Sequence, residues 1–458
     1  MKVHRSRSVR GVKVAGDGRN LTSRGGTVLL AELADRSGLT RALSVAMTDC
    51  GISWHTHDPG VVLTHLAVAV ADGADCLADF AGFGHPQEQL FGPVASVPTA
   101  WRTLNATTST ELRVIPAAVA AARAKVWAAA PVRLGSLILD FDATLVTSYS
   151  DKQDAAATYK RGFGFHPLGV WCDTTNEPLA AILRPGNAGS NDTDDHLELL
   201  DQALAGLPAE FQGGHQIGDR PAEVVHPILV RADSAGATHG FVRGLLEANC
   251  DYSIGYPIDG RVRDALLFTQ EEHWEPAINT NGTPRHGAEV VELTELYDLK
   301  AWGPGTRLIC RRERPHPGAQ LSLFDIHDGW RHTCFITNTA NGDITNLELR
   351  HRQHARVEDR VRCWKDCGLA NLPFEDYVRN QAWVTVSLIA GALLAWSQLI
   401  CFDGDLARAE PKTLRHRILH VAAVLAHRGH DLILRFDQNW PWTPNILTAF
   451  NRLRTAIP

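Results

Sequence analysis

The sequence has no excess of positive charge. Its 458 residues carry 45 Lys and Arg against 51 Asp and Glu, a formal net charge of −6 at pH 7. That balance argues against general electrostatic attraction to nucleic acid, although net charge averages over local patches. One such patch is Met1–Arg24, which holds seven basic residues and a single acid, Asp17. This stretch is interpreted either as a solvated tail or as an arm that binds phosphate.

Signals for secretion, disulfide bonding and membrane insertion are also missing. The basic N-terminus has no apolar segment of the kind that a secretory signal requires. Nine cysteines, an odd number at scattered positions, indicate a reducing cytoplasm rather than a disulfide framework. The longest apolar run, Ala382–Cys401, contains four polar residues and two tryptophans, so we predict a buried helix rather than a membrane span.

Residues 1–130 are predicted to be mostly helical after the basic arm. Apolar residues recur at helical spacing in Ser37–Met47, Pro59–Phe80 and Ile115–Ala130, with many alanines. Thr99 is a predicted cap of a further short helix. A helical region with a basic arm either binds DNA or is only structural, and the sequence favours neither.

From residue 131 the pattern changes to an alternation of strands and helices. Three strand-like runs are followed by a helix, a strand, a helix and a last strand, which is the order of an RNase H-like core in an α/β fold. These elements are predicted at Leu137–Val146, 169–174, 179–184, Asp195–Leu204, Pro227–Ala232, Gly240–Ala248 and 253–258.

Two aspartates end the first of these strands. Side chains alternate between the faces of a strand, so Asp140 and Asp142 share one face. Two like charges on a partly buried face repel each other unless a cation or a proton lies between them. Asp233 directly follows a later strand and could join them at a metal site; alternatively, one of these acids merely caps a turn.

The chain after residue 258 divides into two segments with different residue patterns. Residues 259–345 alternate apolar and polar residues between Gly, Pro, Asn and Asp, which predicts a mostly β insertion. Residues 346–458 return to helices, predicted at His354–Cys367, Phe374–Cys401 and Lys412–Ala426. We therefore expect four domains: 1–130, 131–258 as the first part of the core, 259–345, and 346–458 as its completion.

A third acid stands among cations on the first of these helices. Arg362 and Lys365 follow Glu358 by four and seven residues and share its face, which His354 extends. Arg352, Arg356 and Arg360 form a second basic stripe. Such a helix suits binding of a DNA backbone, but a surface helix held by ion pairs has the same pattern. A zinc site at His351, His354, Cys363 and Cys367 is discounted, because nothing like the paired strands of a zinc finger surrounds them.

Taken together, these blocks resemble the DDE transposases of bacterial insertion sequences, of the cut-and-paste kind with a β insertion before the Glu. The matching blocks are DFDATLV with Asp142, VRADSAG with Asp233, and HRQHARVEDRVRCWKD with Glu358. YKRGFGFHPL (159–168), LRPGNAGSN (183–191) and NQAW (380–383) are similar to the family as well. The family's Tyr–Arg–Glu–Lys signature is only partly present: Lys365 fits, but His351 and His354 stand where Tyr and Arg are expected.

The resemblance implies DNA cleavage and strand transfer by two-metal phosphoryl transfer. Asp142 would bridge two Mg²⁺ ions, with Mn²⁺ as a substitute, and Asp233 and Glu358 would each complete one site. The expected partners are the terminal inverted repeats, target DNA and a second copy of the chain, in the bacterial cytoplasm at the nucleoid and with no membrane. Residues expected to contact DNA are Lys365, Arg362, Arg356, His354, His351 and Trp302, the last by stacking on a base unless it is a core residue.

Two alternatives remain open at this point. DFDATLV also resembles the first motif of haloacid-dehalogenase-type phosphatases, in which Asp140 would be the nucleophile and Asp142 the general acid. The chain could also be a DNA-binding relative that has lost catalysis.

Overall fold

The computed structural model describes residues 19–52, 57–83, 88–131, 134–315, 329–429 and 431–458. Most of the basic arm, up to residue 18, and the apolar run at 320–326 within the predicted insertion lie outside the described residues. Within the described residues the fold is mixed α/β, built around one large sheet.

The helices are α1 (Val28–Ser37), α2 (Leu39–Ala46), α3 (Pro59–Ala71), α4 (Glu88–Phe91), α5 (Val97–Ala106), α6 (Ser109–Ala128), α7 (Thr193–Ala205), α8 (Ala209–Gln212), α9 (His239–Glu247), α10 (Gly260–Phe268), α11 (Ile344–Arg352), α12 (Val357–Trp364), α13 (Tyr377–Cys401), α14 (Pro411–Leu414) and α15 (Thr443–Ala456). The strands are β1 (Leu21–Thr22), β2 (Leu137–Ala143), β3 (Val146–Thr147), β4 (Ala156–Ala157), β5 (Phe163–Phe165), β6 (Leu168–Cys172), β7 (Glu177–Ile182), β8 (Ile228–Ala232), β9 (Asp251–Tyr256), β10 (Glu275–Ile278), β11 (Pro284–Glu292), β12 (Arg307–Glu313), β13 (Arg331–Thr337), β14 (Ala423–Arg428) and β15 (Asp431–Phe436).

The predicted RNase H-like core is confirmed by the order of the central strands. β7, β6 and β2 form an antiparallel meander, and β8 and β9 then add to β2 in parallel, giving the order β7-β6-β2-β8-β9. α7 precedes β8 and α9 precedes β9, as the alternating pattern predicted. Because β2 lies between β6 and β8, its carboxyl end opens at the middle of the sheet edge.

The strands between residues 275 and 337 extend this same sheet. β13 pairs with β9, and β12, β11 and β10 follow outward, so the sheet has nine strands. The inserted chain is therefore β-rich, as predicted, but it is hydrogen-bonded to the core along a full strand, Ser253–Tyr256 against Cys334–Thr337. The division into four domains stays a prediction.

Two predictions of local structure are wrong. The segment Lys412–Ala426 is not one helix: α14 and a π-helical turn at Arg415–Leu419 end before β14, which forms a three-stranded sheet with β15 and β1. Thr99 does not cap α5, because that helix begins after Ser96, with Pro98 in its first turn. Thr99 instead lies inside the helix, where its hydroxyl meets that of Ser96 at 3.1 Å.

α13 is the central helix of the core. It is long and apolar enough to cross a membrane, yet most of it is buried inside the protein, as the four polar residues in its sequence predicted. It packs on α3, on α6 and on β7, so it joins the N-terminal helices to the sheet.

Candidate active site

Asp142 lies at the carboxyl end of β2, opposite Gly169 of β6. Five apolar or buried residues precede it on this central strand, and this burial holds the strand end in place. The carboxylate accepts a hydrogen bond from the amide of the next residue, Ala143, at 2.9 Å. No ion pair joins Asp142 to any residue in the described part of the chain.

Asp233 follows the last residue of β8, the parallel neighbour of β2. Its side chain accepts a hydrogen bond from Ala235 N at 2.9 Å and so caps the short turn Ser234–Gly236. Gly255 of β9 allows this turn, because a Cβ there would lie 2.8 Å from Ser234 N and 3.0 Å from the carbonyl carbon of Asp233. Asp233 is exposed at the sheet edge beyond β2 and β8.

Glu358 stands in the first turn of α12, which packs against β2. Val357 and Val361 are buried and hold one face of the helix on the core, while Glu358 is exposed. Within the described chain, its carboxylate has no hydrogen-bond or ion-pair partner. The helix predicted over His354–Cys367 is interrupted: a 3-10 turn precedes α12, and a π-helical turn at Lys365–Leu369 follows it.

The three acids influence one another electrostatically. Burial, together with the negative charges of Asp233 and Glu358, raises the pKa of Asp142 to about 6 against the opposing effect of His354. A carboxyl group with so high a pKa is one that lacks a compensating cation. Asp233 and Glu358 therefore lie within electrostatic range of Asp142 at one edge of the sheet, and their assignment as a catalytic triad stays a prediction.

These acids suit a hard divalent cation by their chemistry. Mg²⁺ prefers oxygen ligands and is held by few protein side chains. Asp142 and Glu358 offer carboxylate oxygens that no cationic side chain of the described chain occupies. No three His, Cys, Asp or Glu side chains within the described ranges converge closely enough to enclose an ion as they stand. The carboxylate oxygens of these acids fit the metal by their chemistry.

Asp140 has a different environment, which the sequence did not reveal. It is fully buried, and its two oxygens accept four hydrogen bonds: from Arg231 Nε at 2.6 Å, Arg231 Nη2 at 2.8 Å, His354 Nδ1 at 2.9 Å and Arg360 Nη1 at 2.8 Å. Asp173 pairs with the same two arginines. Burial alone would raise the pKa of Asp140, but the hydrogen bonds from His354 and Arg231 outweigh it and lower the pKa to about 2.

This cluster excludes the phosphatase alternative. A nucleophilic carboxylate must reach its substrate with a free oxygen. Both oxygens of Asp140 are shielded from solvent and already bonded to cations. Its role is instead to fasten β2 to β8 and to the helical segment that carries Glu358, because His354 and Arg360 flank that acid in sequence.

Of the predicted basic residues, Lys365 lies within electrostatic range of Asp142. Burial and the charge of Lys160 lower its pKa, and the charge of Asp142 opposes them, so both lysines lie within electrostatic range of the site. Arg362 is exposed and paired with Asp359 and Glu410. Arg356 is half-exposed, 3.8 Å from Asp173.

The two histidines and Trp302 do not fit the predicted contacts with DNA. His351 stacks on Phe335 at 4.3 Å between ring centres, and burial lowers its pKa to about 3, so it carries no charge for a phosphate. His354 is buried, and its Nδ1 lies 2.9 Å from Asp140 Oδ1. Trp302 is 8% exposed and packs against His239 and Tyr256, so it is a core residue.

Comparison with known proteins was made at the level of family, sequence and fold. The family model described as transposase DDE domain group 1 matches residues 4–458. No curated protein matches the chain. Among solved structures, the cryo-EM structure of the piggyBac transposase synaptic complex with hairpin DNA is similar, with a TM-score of 0.45 and 8% sequence identity over 86% of this chain and 78% of that chain.

Proposed function

The chain belongs to the transposase DDE domain family, group 1, and from that membership we propose that it moves a bacterial insertion sequence by cutting DNA at the terminal inverted repeats and joining the ends to target DNA. It is a DNA transposase, an enzyme of a family that uses divalent metal ions. The observation that carries the proposal for this site is the position of Asp142 at the carboxyl end of β2, beside the strand that leads to Asp233 and against the helix that carries Glu358; burial and the charges of both acids raise its pKa.

We propose Asp142, Asp233 and Glu358 as the metal ligands, for two Mg²⁺ ions that Mn²⁺ can replace. Bound there, the ions would supply an activated water and stabilise charge on the phosphate. Asp142 would contribute to both positions, because its strand pairs with β8, which leads to Asp233, and packs against the helix that carries Glu358. Lys365 would neutralise a phosphate oxygen beside them. Two copies would act together, since both ends of the element must be held at once.

The test compares three acids with one matched control. Asp142→Ala, Asp233→Ala and Glu358→Ala should each abolish Mg²⁺-dependent cleavage of a labelled duplex taken from the repeats flanking the gene. Binding of the same duplex in EDTA should persist. Asp359→Ala is the control, because Asp359 is exposed on the same helical turn as Glu358 and forms an ion pair with the exposed Arg362.

Three outcomes would contradict parts of this proposal. Cleavage that survives Glu358→Ala would remove Glu358 from the site. If Asp359→Ala also abolishes cleavage, any change of charge on this helix abolishes it, and the effect of Glu358→Ala is not specific. A wild-type chain that binds the repeats but never cuts them would be the DNA-binding relative without catalysis.

A further inference from the structure

A small hairpin stands beside the acids and has no role in the function described so far. β4 and β5 are joined by the turn Thr158–Gly162, whose side chains Tyr159, Lys160 and Arg161 are exposed, Tyr159 to 71%. We propose that this hairpin tip binds the DNA backbone next to the phosphate that is cut. The inference rests on the proposed function and names one surface that holds its substrate.

The sheet that carries the tip grows directly out of the active-site strand. β3 begins three residues after β2 ends, and it pairs with β5 through Val146 opposite Phe165. Gly164 makes this pairing possible, because a Cβ at that position would lie 2.1 Å from the carbonyl oxygen of Val146. The small sheet β3-β5-β4 therefore stands at the carboxyl end of β2, where Asp142 lies.

The base of the hairpin is also anchored on the segment before α13. Lys152 Nζ donates to the carbonyl oxygen of Phe374 at 2.9 Å, and Gln153 N donates to that of Glu375 at 2.8 Å. On its other side, Gly186 of the loop 183–191 lies so close that a Cβ would reach the carbonyl oxygen of Ala156 at 2.4 Å. The hairpin is thus held on three sides by backbone contacts.

The turn at the tip is itself hydrogen-bonded. Thr158 N donates to Gly162 O at 2.9 Å, and Arg161 N donates to Thr158 O at 3.0 Å. Arg161 adopts a left-handed conformation with φ 61°, which closes the turn. Because the backbone is already ordered, binding a ligand here costs little further conformational entropy.

The charges on this tip are uncompensated. Lys160 and Arg161 form no ion pair with any acid of the described residues, and the Lys160 amine lies 5.7 Å from the centre of the Tyr159 ring. By contrast, the exposed Arg220 pairs with Glu223, and the exposed Arg243 pairs with Glu247. Lys160 also acts on Lys365, which in turn lies near Asp142, so a row of positive charge leads away from the acids.

A DNA strand is the partner that matches this surface. Its phosphates are a regular row of negative charge, and an exposed aromatic ring beside two cations can pack against a sugar or a base. A protein that neutralises a phosphate releases counterions, so each contact contributes about 0.9 to the slope of log affinity against log salt concentration. Loss of two contacts should lower that slope by about 2.

The experiment measures this slope with the double variant Lys160→Gln/Arg161→Asn. Asn is chosen because it tolerates the left-handed conformation at position 161. Binding of a duplex carrying the terminal repeat is titrated in EDTA at several salt concentrations, so that no cleavage intervenes. We expect affinity to fall about tenfold or more at low salt and the slope to fall by about 2.

The matched control is Arg220→Gln/Arg243→Gln. It makes the same change in net charge at two exposed arginines that pair with Glu223 and Glu247. Its slope should equal that of the wild type. Tyr159→Ala should weaken binding without changing the slope, and Tyr159→Phe should bind as the wild type does.

The failure of this inference can be told apart from the failure of the proposed function. If the wild type cuts the repeat and the hairpin variant keeps its full salt slope, the hairpin does not bind the backbone. The same conclusion holds if the control variant loses as much slope as the hairpin variant does. If the wild type neither binds nor cuts the repeat, the proposed function itself is wrong.

Discussion

Asp140 and Asp142 show how far two identical residues on one strand face can diverge. The pKa of Asp140 is lowered to about 2, and that of Asp142 is raised to about 6. Asp140 is the more deeply buried, so burial alone would give Asp140 the higher pKa of the two. The difference lies in their partners: Asp140 is hydrogen-bonded to two guanidinium groups and to the His354 ring, whereas Asp142 accepts a hydrogen bond from a backbone amide.

Asp142→Asn should stabilise the metal-free protein above pH 6. The pKa of Asp142 is higher in the folded chain than its ordinary value of 3.8, so the folded state gains stability from the proton below pH 4 and loses it as pH rises through 6. The substitution removes the charge, so the free energy of unfolding at pH 8 should rise by about 1–3 kcal/mol, since one pKa unit corresponds to about 1.4 kcal/mol. Urea unfolding in EDTA at pH 4 and pH 8 measures the difference.

Mg²⁺ provides the control for this prediction. It should stabilise the wild type at pH 8 and leave Asp142→Asn almost unchanged, because a ligand that binds only the folded state shifts the unfolding equilibrium. Equal stability of the two proteins at pH 8 in EDTA would show that the charge of Asp142 does not destabilise the folded chain.

The sequence allowed the three acids to be predicted, since each follows or begins a recognisable element. It did not reveal the partner of Asp140, although a signal for it was present. Asp142 follows Asp140 by two residues, and Asp233 follows Arg231 by two residues. If the two predicted metal ligands lie side by side on parallel strands, the register also places Asp140 opposite Arg231. That pairing depends on which strands are neighbours and in what register, and neither follows from local periodicity.

At the scale of elements, the Asp140 cluster docks α12 on the sheet. Arg360 from the helix and His354 from the turn before it reach the same buried carboxylate as Arg231 from β8. Glu358 lies between His354 and Arg360 in the chain, so its position relative to Asp142 depends on these bonds. His354 and Arg360 therefore hold the chain on both sides of Glu358.

Asp140→Asn should destabilise the protein strongly and reduce cleavage. The substitution keeps the shape of the side chain but leaves Arg231 and Arg360 buried beside a neutral group, which typically costs about 3–5 kcal/mol. This loss is measured by urea unfolding at pH 7, and it should shrink as the pH falls below 3.8 toward 2, because the stability contributed by the ionised Asp140 carboxylate is lost there.

Asp264→Asn is the matched control for that variant, since Asp264 is exposed on α10. It should change stability by less than about 0.5 kcal/mol. Where enough Asp140→Asn protein is folded to assay, its cleavage rate should be lower while binding of repeat DNA is retained. A variant as stable as the wild type would mean that the cluster does not hold α12.

Elements with a local signal were predicted well, and those that depend on distant chain were not. The core strands and the helices α7 and α9 were placed within a few residues of their observed bounds. Residues 412–426 are rich in leucine and alanine, so a helix was the natural prediction for them. In the structure β14 pairs with β15 and with β1, more than 390 residues away in sequence. No local pattern contains the information that Leu21 lies opposite Val424.

At the scale of the whole molecule, the N-terminal helices and the sheet share one hydrophobic core. A single cluster of buried side chains runs from Leu29 to Ile457. Glu177, at the start of β7, is a polar contact inside it: fully buried, it accepts hydrogen bonds from Arg123 Nε at 2.9 Å and Trp127 Nε1 at 2.5 Å on α6, and from Trp396 Nε1 at 2.7 Å on α13. One carboxylate thus bonds to both helices that cover the outer strand.

Glu177→Gln should therefore lower the stability of the entire chain and not of one part. The change leaves the Arg123 guanidinium buried without its counter-charge, which typically costs about 3–5 kcal/mol. Because α6, α13 and β7 belong to one core, calorimetry should show a single unfolding transition at a lower temperature in the variant, as in the wild type. Glu210→Gln, an exposed acid in α8, should leave the transition where it is. Two separate transitions in either protein would show that the N-terminal helices fold independently of the catalytic sheet.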